Sequence, residues 1–227
     1  MRSVENGYDA GYRSAWVLMP PIRILLANHQ PIIRSGLRLL LEREPDFHVV
    51  AEAADGREAI VLADFKHPDI ALLEVKLPYA NGIAVAREIS SKRTSPKPVF
   101  VTAHTDEGYV IEAFKAGATG YVAGDSAPTD LSHAIRVVAN GRLFLSPVIC
   151  MQLLASHLDI REISDYERQL YCLIAAGYGD REIAKRLNAE LSKIRTDCQS
   201  INTASCSPLP EVIAKSIFAN HCALEEA

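Results

Sequence analysis

The stretch DIALLEVKLP, residues 69–78, decides the fold of this chain. Its apolar run is too short for a helix, and it reads as a strand that ends on Glu74. A loop containing Pro78 and Gly82 follows directly. A continuous apolar run is typical of a parallel strand that is buried on both faces. The sequence therefore places a carboxylate at the end of a buried parallel strand.

Four further apolar runs alternate with helical patterns on either side of this strand. The predicted strands are 22–27, 48–53, 70–74, 98–102 and 120–123. The predicted helices are 31–41, 55–65, 83–91, 107–116 and 128–140. This alternation predicts an α/β domain with a five-stranded, parallel, doubly wound, flavodoxin-like sheet. Such sheets bind ligands at the carboxyl ends of their strands, which directs attention to Asn28, His29, Glu74, Thr102 and Gly124.

The rest of the chain carries only helical patterns. A helix is predicted in the linker 146–160, and residues 161–227 read as a small all-α domain. Its first helix begins with Ser164 or Asp165 as the cap, and the others are predicted at 180–187, 192–203 and 208–220. Short helices with tight turns fit a helix-turn-helix module. The predicted organisation is a flexible extension at 1–21, an α/β domain at 22–145, the linker and the helical domain.

Composition narrows the function classes. The 227 residues are 48% hydrophobic and 23% charged, with a formal net charge of −4, so charge alone does not make the chain a nucleic-acid binder. We find neither a membrane-spanning run nor a secretory signal, and we expect a cytoplasmic protein. The five cysteines form no C-x-x-C pair, which fits a reducing cytosol. Buried thiols are the simpler interpretation of them, and redox sensing is the alternative.

Three motifs in the first domain carry a family resemblance. They are DGREA at 55–59, KAGATGY at 115–121 and NGRLFLSP at 140–147. With the strand at 70–74, they resemble the receiver domain of the NarL/FixJ subfamily of two-component response regulators. The resemblance implies a phosphoacceptor Asp at position 74, two acids at 28 and 29 that hold Mg²⁺, and a Lys at 124. It also implies that Thr102 and Tyr121 are switch residues.

The chain departs from this pattern at the chemistry-bearing positions. Glu74 replaces the acceptor, Asn28 and His29 replace the acidic pair, and Gly124 replaces the Lys. A phosphoryl group on Glu74 would lack both its metal and its cation, so we expect an atypical pseudo-receiver without cofactor or metal. Glu74 is then a mimic of phosphoaspartate, or an inert residue in a structural domain. A weaker alternative makes His29 and Glu74 ligands of a transition metal.

The helical domain resembles the LuxR type of DNA-binding domain through Glu167-Arg168, IAAGY at 174–178 and REIAKRL at 181–187. The stretch KIRTD at 193–197 only partly follows the family's recognition helix, because Asp197 replaces a His that would face phosphates. Residues 181–195 carry five basic and two acidic side chains, a local excess of +3. The candidates for contacting the DNA groove are Lys193, Arg195, Thr196 and Gln199. Those for positioning the DNA backbone are Arg181, Lys185 and Arg186.

Two functions follow from these expectations. The first is a phosphorylation-independent transcriptional regulator that binds DNA, as a homodimer. The second is an interaction protein whose degenerate helix-turn-helix docks on a partner regulator or kinase. The resemblance implies that the dimer or partner surface lies within 107–123. We find no nucleophile–base arrangement and no glycine-rich phosphate loop, so we do not expect an enzyme.

Overall fold

The computed structural model describes residues 20–91, 96–126, 128–157, 164–203 and 213–214. Its strands are β1 (Ile22–Ala27), β2 (Phe47–Ala53), β3 (Ile70–Leu73), β4 (Lys97–Thr102), β5 (Gly120–Ala123) and β6 (Phe144–Leu145). The helices between them are α1 (Pro31–Leu41), α2 (Gly56–Lys66), α3 (Gly82–Ser90), α4 (Glu107–Lys115) and α5 (Pro128–Ala139). The remaining helices are α6 (Pro147–His157), α7 (Asp165–Ala175), α8 (Asp180–Arg186) and α9 (Leu191–Thr203).

All strands belong to one parallel sheet in the order β2-β1-β3-β4-β5-β6. Every residue of β3 is buried, as expected for a strand covered by helices on both faces. The chain reverses its direction along the sheet after β2, so β1 and β3 are neighbours at the switch point. The carboxyl ends of β1 and β3 are therefore the expected location of a site.

The prediction of five strands is wrong by one. β6 pairs with β5, with Phe144 opposite Gly120 and Leu145 opposite Tyr121. Two paired residues are too few to show an alternating pattern, so the sequence carries no strand signal there. The other elements of this domain agree with the predicted ones to within one residue at most ends, although Glu74 lies just past β3 rather than within it.

Two glycines hold the loop after β3 close to its neighbours. A Cβ on Gly82 would lie 2.1 Å from the carbonyl oxygen of Glu74, and one on Gly56 would lie 1.8 Å from that of Ala80. Any larger residue would push α3 or α2 away from this loop. The Asp55 and Asn81 side chains cap these two helices through the amides of residues 58 and 84. The loop that carries Glu74 is thereby fixed.

The C-terminal helices pack around their own apolar side chains. Ser164 caps α7 in a reciprocal capping box with Glu167, which confirms the predicted start of this helix. Ile183 on α8 and Ile194 on α9 are fully buried. Most of the helix predicted at 208–220 lies outside the described residues, although Ile213 and Ala214 are helical and buried. The predicted extension is described only from Pro20 onward.

The two parts of the chain meet at α5, α6 and α7. The His133 ring of α5 stacks on Tyr178, with ring centroids 4.5 Å apart, and its Nε2 lies 3.1 Å from the Ala176 carbonyl oxygen. The guanidinium of Arg142 donates to the Gly177 carbonyl oxygen at 3.3 Å. Gly177 has φ +72°, and a Cβ there would lie 2.3 Å from Val137. Glycine is therefore needed at this turn both for its backbone conformation and for the close approach of α5.

Candidate switch site and DNA-binding face

The strand-end residues converge at one edge of the sheet. Asn28, Glu74, Thr102 and Gly124 follow or end β1, β3, β4 and β5, which are consecutive neighbours in the sheet. The Glu74 amide donates to the Ala27 carbonyl oxygen at 3.0 Å, which continues the ladder one residue beyond β3. These residues lie close together because the carboxyl ends of parallel strands share one edge of the sheet.

The carboxylate of Glu74 turns back toward its own chain and toward β4. Its Oε1 accepts from the Val75 amide at 2.7 Å, and the Lys76 amide lies 3.4 Å away. The same oxygen accepts from the Thr102 hydroxyl at 2.5 Å. Hydrogen bonds to an ionised acceptor are short and strong. One oxygen of Glu74 therefore accepts from donors in the loop after β3 and at the end of β4.

Both expected switch residues lie in the same hydrogen-bonded chain. Thr102 is 1% exposed, and its Oγ1 also accepts from the His104 amide at 3.2 Å. Tyr121 is fully buried, and its hydroxyl donates to the His104 carbonyl oxygen at 2.6 Å. Burial, with the nearby charge of Glu74, raises the pKa of Tyr121, which keeps its hydroxyl a donor. The loop at His104 is thus held from both sides.

Asn28 and His29 are poor ligands for Mg²⁺. The Asn28 side chain is nearly buried, and its Oδ1 accepts from the Gln30 amide at 2.8 Å, a local turn before α1. Its amide has no charge to offer a hard cation, and His29 would present an imidazole. The residues present therefore do not fit the Mg²⁺ that the receiver family implies.

Gly124 sits close to the backbone of β4. Its amide donates to the Thr102 carbonyl oxygen at 2.8 Å. A Cβ on Gly124 would lie 3.1 Å from the Thr102 carbonyl carbon and 3.2 Å from the Ala103 nitrogen. A side chain at this position would require a small shift of the β4 end. Gly124 itself supplies no cation to the site.

An open cavity of about 470 Å³ lies beside Glu74. It is lined by His29, Gln30, Glu74, Lys76, Leu77, Pro78, Ala103 and His104. Sequence reasoning did not assign a role here to Lys76 or Gln30, although each lies two residues beyond a strand-end position that it did select. In the described part of the chain, no group of three or more His, Cys, Asp or Glu residues is arranged to hold a metal. Among these described residues, none is placed to serve with His29 and Glu74 as a third metal ligand.

The candidate DNA-contacting residues share the exposed surface of α8 and α9. All seven side chains are exposed: Arg181, Lys185, Arg186, Lys193, Arg195, Thr196 and Gln199. Ile194 and Cys198 point inward from α9 and are buried. The spacing of 193, 196 and 199 puts those three residues on one outward stripe of the helix. α8 and α9 can therefore present a polar, basic surface.

Several of these basic groups also have partners within the chain. The Lys193 ammonium lies 4.0 Å from the Tyr166 ring centroid, and Arg195 Nε lies 3.6 Å from the Asp180 carboxylate. The Arg186 guanidinium lies 4.1 Å from the Tyr178 ring centroid. Such contacts orient long side chains, and they must be exchanged or shared when a phosphate binds.

Asp197 is less exposed to a DNA backbone than the sequence indicated. Its carboxylate accepts from the Tyr166 hydroxyl at 2.6 Å, and the residue is half-buried against α7. Burial and this hydrogen bond raise the pKa of Tyr166 to about 12, so the phenol remains the donor. The Asp197 carboxylate therefore faces α7 in part, and not only the surface of α9. Tyr166 is a residue of this surface that sequence reasoning did not select.

Comparison with known proteins shows the family to which the chain belongs. Residues 24–136 match the model of the response regulator receiver domain. The chain is 33% identical to the uncharacterized transcriptional regulatory protein YxjL of Bacillus subtilis (strain 168), over 79% of this chain and 87% of the relative. It is also 33% identical to the nitrate/nitrite response regulator protein NarL of Escherichia coli (strain K12), over 77% of this chain and 85% of NarL.

A solved structure gives the same result. The two-component response regulator of the LuxR family from Aurantimonas sp. SI85-9A1 is 37% identical, with a TM-score of 0.59. The match covers 61% of this chain and 99% of that one. No helix among the described residues is long and apolar enough to cross a membrane. With its receiver sheet and these relatives, the chain belongs to the response regulators of the NarL/LuxR family.

Proposed function

We propose that this chain is a DNA-binding transcriptional regulator whose receiver is held in an active-like arrangement without phosphorylation. The observation that carries the proposal is the 2.5 Å hydrogen bond between the Thr102 hydroxyl and the Glu74 carboxylate, together with the fully buried Tyr121. In the mimic interpretation, the longer side chain of Glu74 supplies the negative charge to which the switch threonine turns.

Hydrogen bonds connect this charge to the backbone of His104, in the loop before α4. Glu74 accepts from Thr102, and Thr102 accepts from the His104 amide. The His104 carbonyl oxygen accepts from Tyr121. Both backbone groups of His104 are thereby held, one by Thr102 and the other by Tyr121. A permanent carboxylate at position 74 then biases the loop toward one arrangement, as a transient phosphoryl group would in an ordinary receiver.

The same site is poorly built for phosphoryl transfer. Catalysis of this reaction depends on cations that neutralise charge on the transferred group. Asn28, His29 and Gly124 supply neither a magnesium site nor a lysine. Oε1 of Glu74 is also occupied by protein donors. We therefore expect no phosphoryl group to be taken up at Glu74.

Mass spectrometry after incubation with a small phosphodonor and Mg²⁺ tests this expectation. The protein should gain no phosphoryl mass, and its DNA affinity should stay unchanged. The Glu74→Asp variant should also stay unmodified, since the residues at 28, 29 and 124 are unaltered. A phosphorylated Glu74 that changes DNA affinity would contradict the proposed independence.

DNA binding would use the exposed stripe of α9. Lys193, Thr196 and Gln199 would approach base edges, with Arg195 beside them, while Arg181, Lys185 and Arg186 would hold phosphates. The exposure of all these side chains supports this assignment. The relatives that carry the family assignment include a transcriptional regulatory protein, which favours the same role.

A homodimer through 107–123 completes the proposal, because paired half-sites require two recognition helices. Every residue of β5 is buried, so α4 must supply most of that surface. Its exposed residues include Gly108, Glu112 and Lys115. Sedimentation of a Lys115→Glu variant should show a weaker dimer than the parent chain. The matched charge reversal Arg43→Glu, at an exposed residue just after α1, serves as the control.

The second candidate is docking on a partner protein without DNA. It is favoured by the intramolecular partners of Lys193, Arg195 and Arg186, each of which must be given up or shared on DNA. Titration with DNA at physiological salt distinguishes the two candidates. Binding that is weak and independent of sequence would support the docking role.

A further inference from the structure

Two buried thiols meet at the junction between the receiver and the helical domain. Cys150 lies on α6 and is fully buried, and Cys172 lies on α7 and is 8% exposed. Both residues belong to one buried apolar cluster, which spans α6 and α7. Cys172 also donates to the Pro147 carbonyl oxygen, 3.9 Å from its Sγ, at the first residue of α6. The pair therefore bridges two helices that are separate in the sequence.

Each cysteine is anchored to a different part of the chain. The Cys150 amide donates to the Ser146 carbonyl oxygen at 2.9 Å, and the Ser146 amide donates to the Tyr121 carbonyl oxygen at 2.9 Å. α6 is thereby tied to β5, the strand that carries the switch tyrosine. Cys172 belongs to α7, whose Tyr166 side chain contacts Asp197 of the recognition helix. A covalent bond between the two sulfurs would join these two parts.

The environments of the two sulfurs differ in a way that suits thiol oxidation. Interaction with the Cys150 thiol lowers the pKa of the Cys172 thiol. The same interaction, with complete burial, raises the pKa of the Cys150 thiol. Cys172 is also the more exposed of the two. It is therefore the sulfur that ionises first and that a small oxidant reaches first.

We propose that Cys150 and Cys172 form a redox-active dithiol, and that its oxidation by a peroxide closes a disulfide that fixes the helical domain to the receiver. The Cys172 thiolate attacks one oxygen of hydrogen peroxide, the O–O bond breaks, and hydroxide leaves and is protonated to water. The Cys150 thiol then attacks the sulfenic sulfur of Cys172, and a second water leaves. Two thiols lose two electrons and two protons, and one peroxide becomes two waters.

The disulfide would constrain the arrangement of the two domains rather than either domain alone. The contacts that now hold the helical domain against the receiver, such as the His133–Tyr178 stack, are non-covalent. A disulfide between α6 and α7 closes a loop that contains the residues joining the two domains. It removes conformations in which the two domains are separated. The proposed site is independent of phosphorylation and of the identity of the DNA target.

Peptide mapping of the full chain under non-reducing conditions tests the proposal. The reduced, folded protein is treated with hydrogen peroxide, its remaining thiols are blocked with N-ethylmaleimide, and it is digested with trypsin. Cleavage leaves Cys150 in peptide 143–161 and Cys172 in peptide 169–181, each as the single cysteine. The expected result is a disulfide-linked pair of these two peptides that dithiothreitol separates.

Substitutions supply the control. Cys150→Ser and Cys172→Ser should each abolish the linked peptides, while Cys198→Ser, at another buried cysteine, should leave their yield unchanged. The oxidised parent chain should also unfold at a higher urea concentration than the reduced chain.

The peptide map of the unsubstituted chain tests the proposal even if a cysteine variant fails to fold. Oxidation that joins Cys150 to a cysteine other than Cys172 would overturn the proposal. So would a linked peptide that forms only in urea.

Discussion

Replacing Glu74 with Ala tests the proposed link between this carboxylate and DNA binding. The change removes the acceptor of the Thr102 hydroxyl, which is buried and has a charged partner at 2.5 Å. A hydrogen bond to a charged group contributes about 1.5–3 kcal/mol. Lys76 lines an open cavity, where water can replace the carboxylate at its amide, so this amide adds little. If all of this energy biases the active-like arrangement, DNA affinity should fall by about 10- to 150-fold.

The assay is a fluorescence anisotropy titration with one selected DNA fragment at fixed salt. Glu74→Gln keeps an acceptor but loses the charge, and charge assistance is worth about half of such a bond, so its affinity should fall by only about 3- to 10-fold. Glu88→Ala, at an exposed acid on α3, controls for the change in net charge. A Glu74→Ala variant that folds normally and binds DNA like the parent chain would refute the mimic interpretation and leave Glu74 inert.

Substitutions at three other residues should change stability or DNA binding measurably. Thr102→Val removes the hydroxyl that contacts the Glu74 carboxylate and the His104 amide. The free energy of unfolding in urea should fall by about 1–3 kcal/mol. An unchanged midpoint would mean that these hydrogen bonds do not stabilise the fold. Burial lowers the pKa of His133 below its ordinary value of 6.5. Between pH 6.5 and the lower pKa of the folded state, the unfolded chain therefore binds more protons than the folded chain. Stability should therefore decline with acid over that range, and His133→Phe should flatten the decline in urea titrations at several pH values; an equal slope in both chains would contradict this. Lys185→Ala should weaken binding to all DNA fragments alike and should reduce the slope of log affinity against log salt by about 0.9, whereas a change in sequence preference would mean that this side chain reads bases.

The fold could be predicted because the decisive signals are local. The apolar run of β3 is continuous, and Gly56 and Gly82 mark the points where helices approach the loop that carries Glu74. Those signals depend only on neighbours in the sequence. β6 escaped prediction because its two residues are defined by pairing with β5, from which they are separated by α5. A strand that exists only through tertiary contact has no sequence pattern of its own.

The sequence predicts that the strand-end residues lie at one edge of the sheet, but it does not predict their hydrogen bonds. The parallel sheet brings Glu74 and Thr102 to one edge, and this follows from the order of the elements. That the longer side chain of Glu74 folds back onto its own amides and reaches Thr102 depends on rotamers, which the sequence does not specify. Asp197 is a similar case, since its hydrogen bond to Tyr166 joins residues on two different helices and moves charge away from the expected DNA surface.

Binding of the unphosphorylated chain to a pool of genomic DNA fragments across a salt series tests the central claim most directly. The proposed regulator should select particular fragments that outcompete bulk DNA at physiological salt with no phosphodonor present. Weak binding that disappears near physiological salt, with no fragment preferred, would contradict it and would favour the protein-docking role.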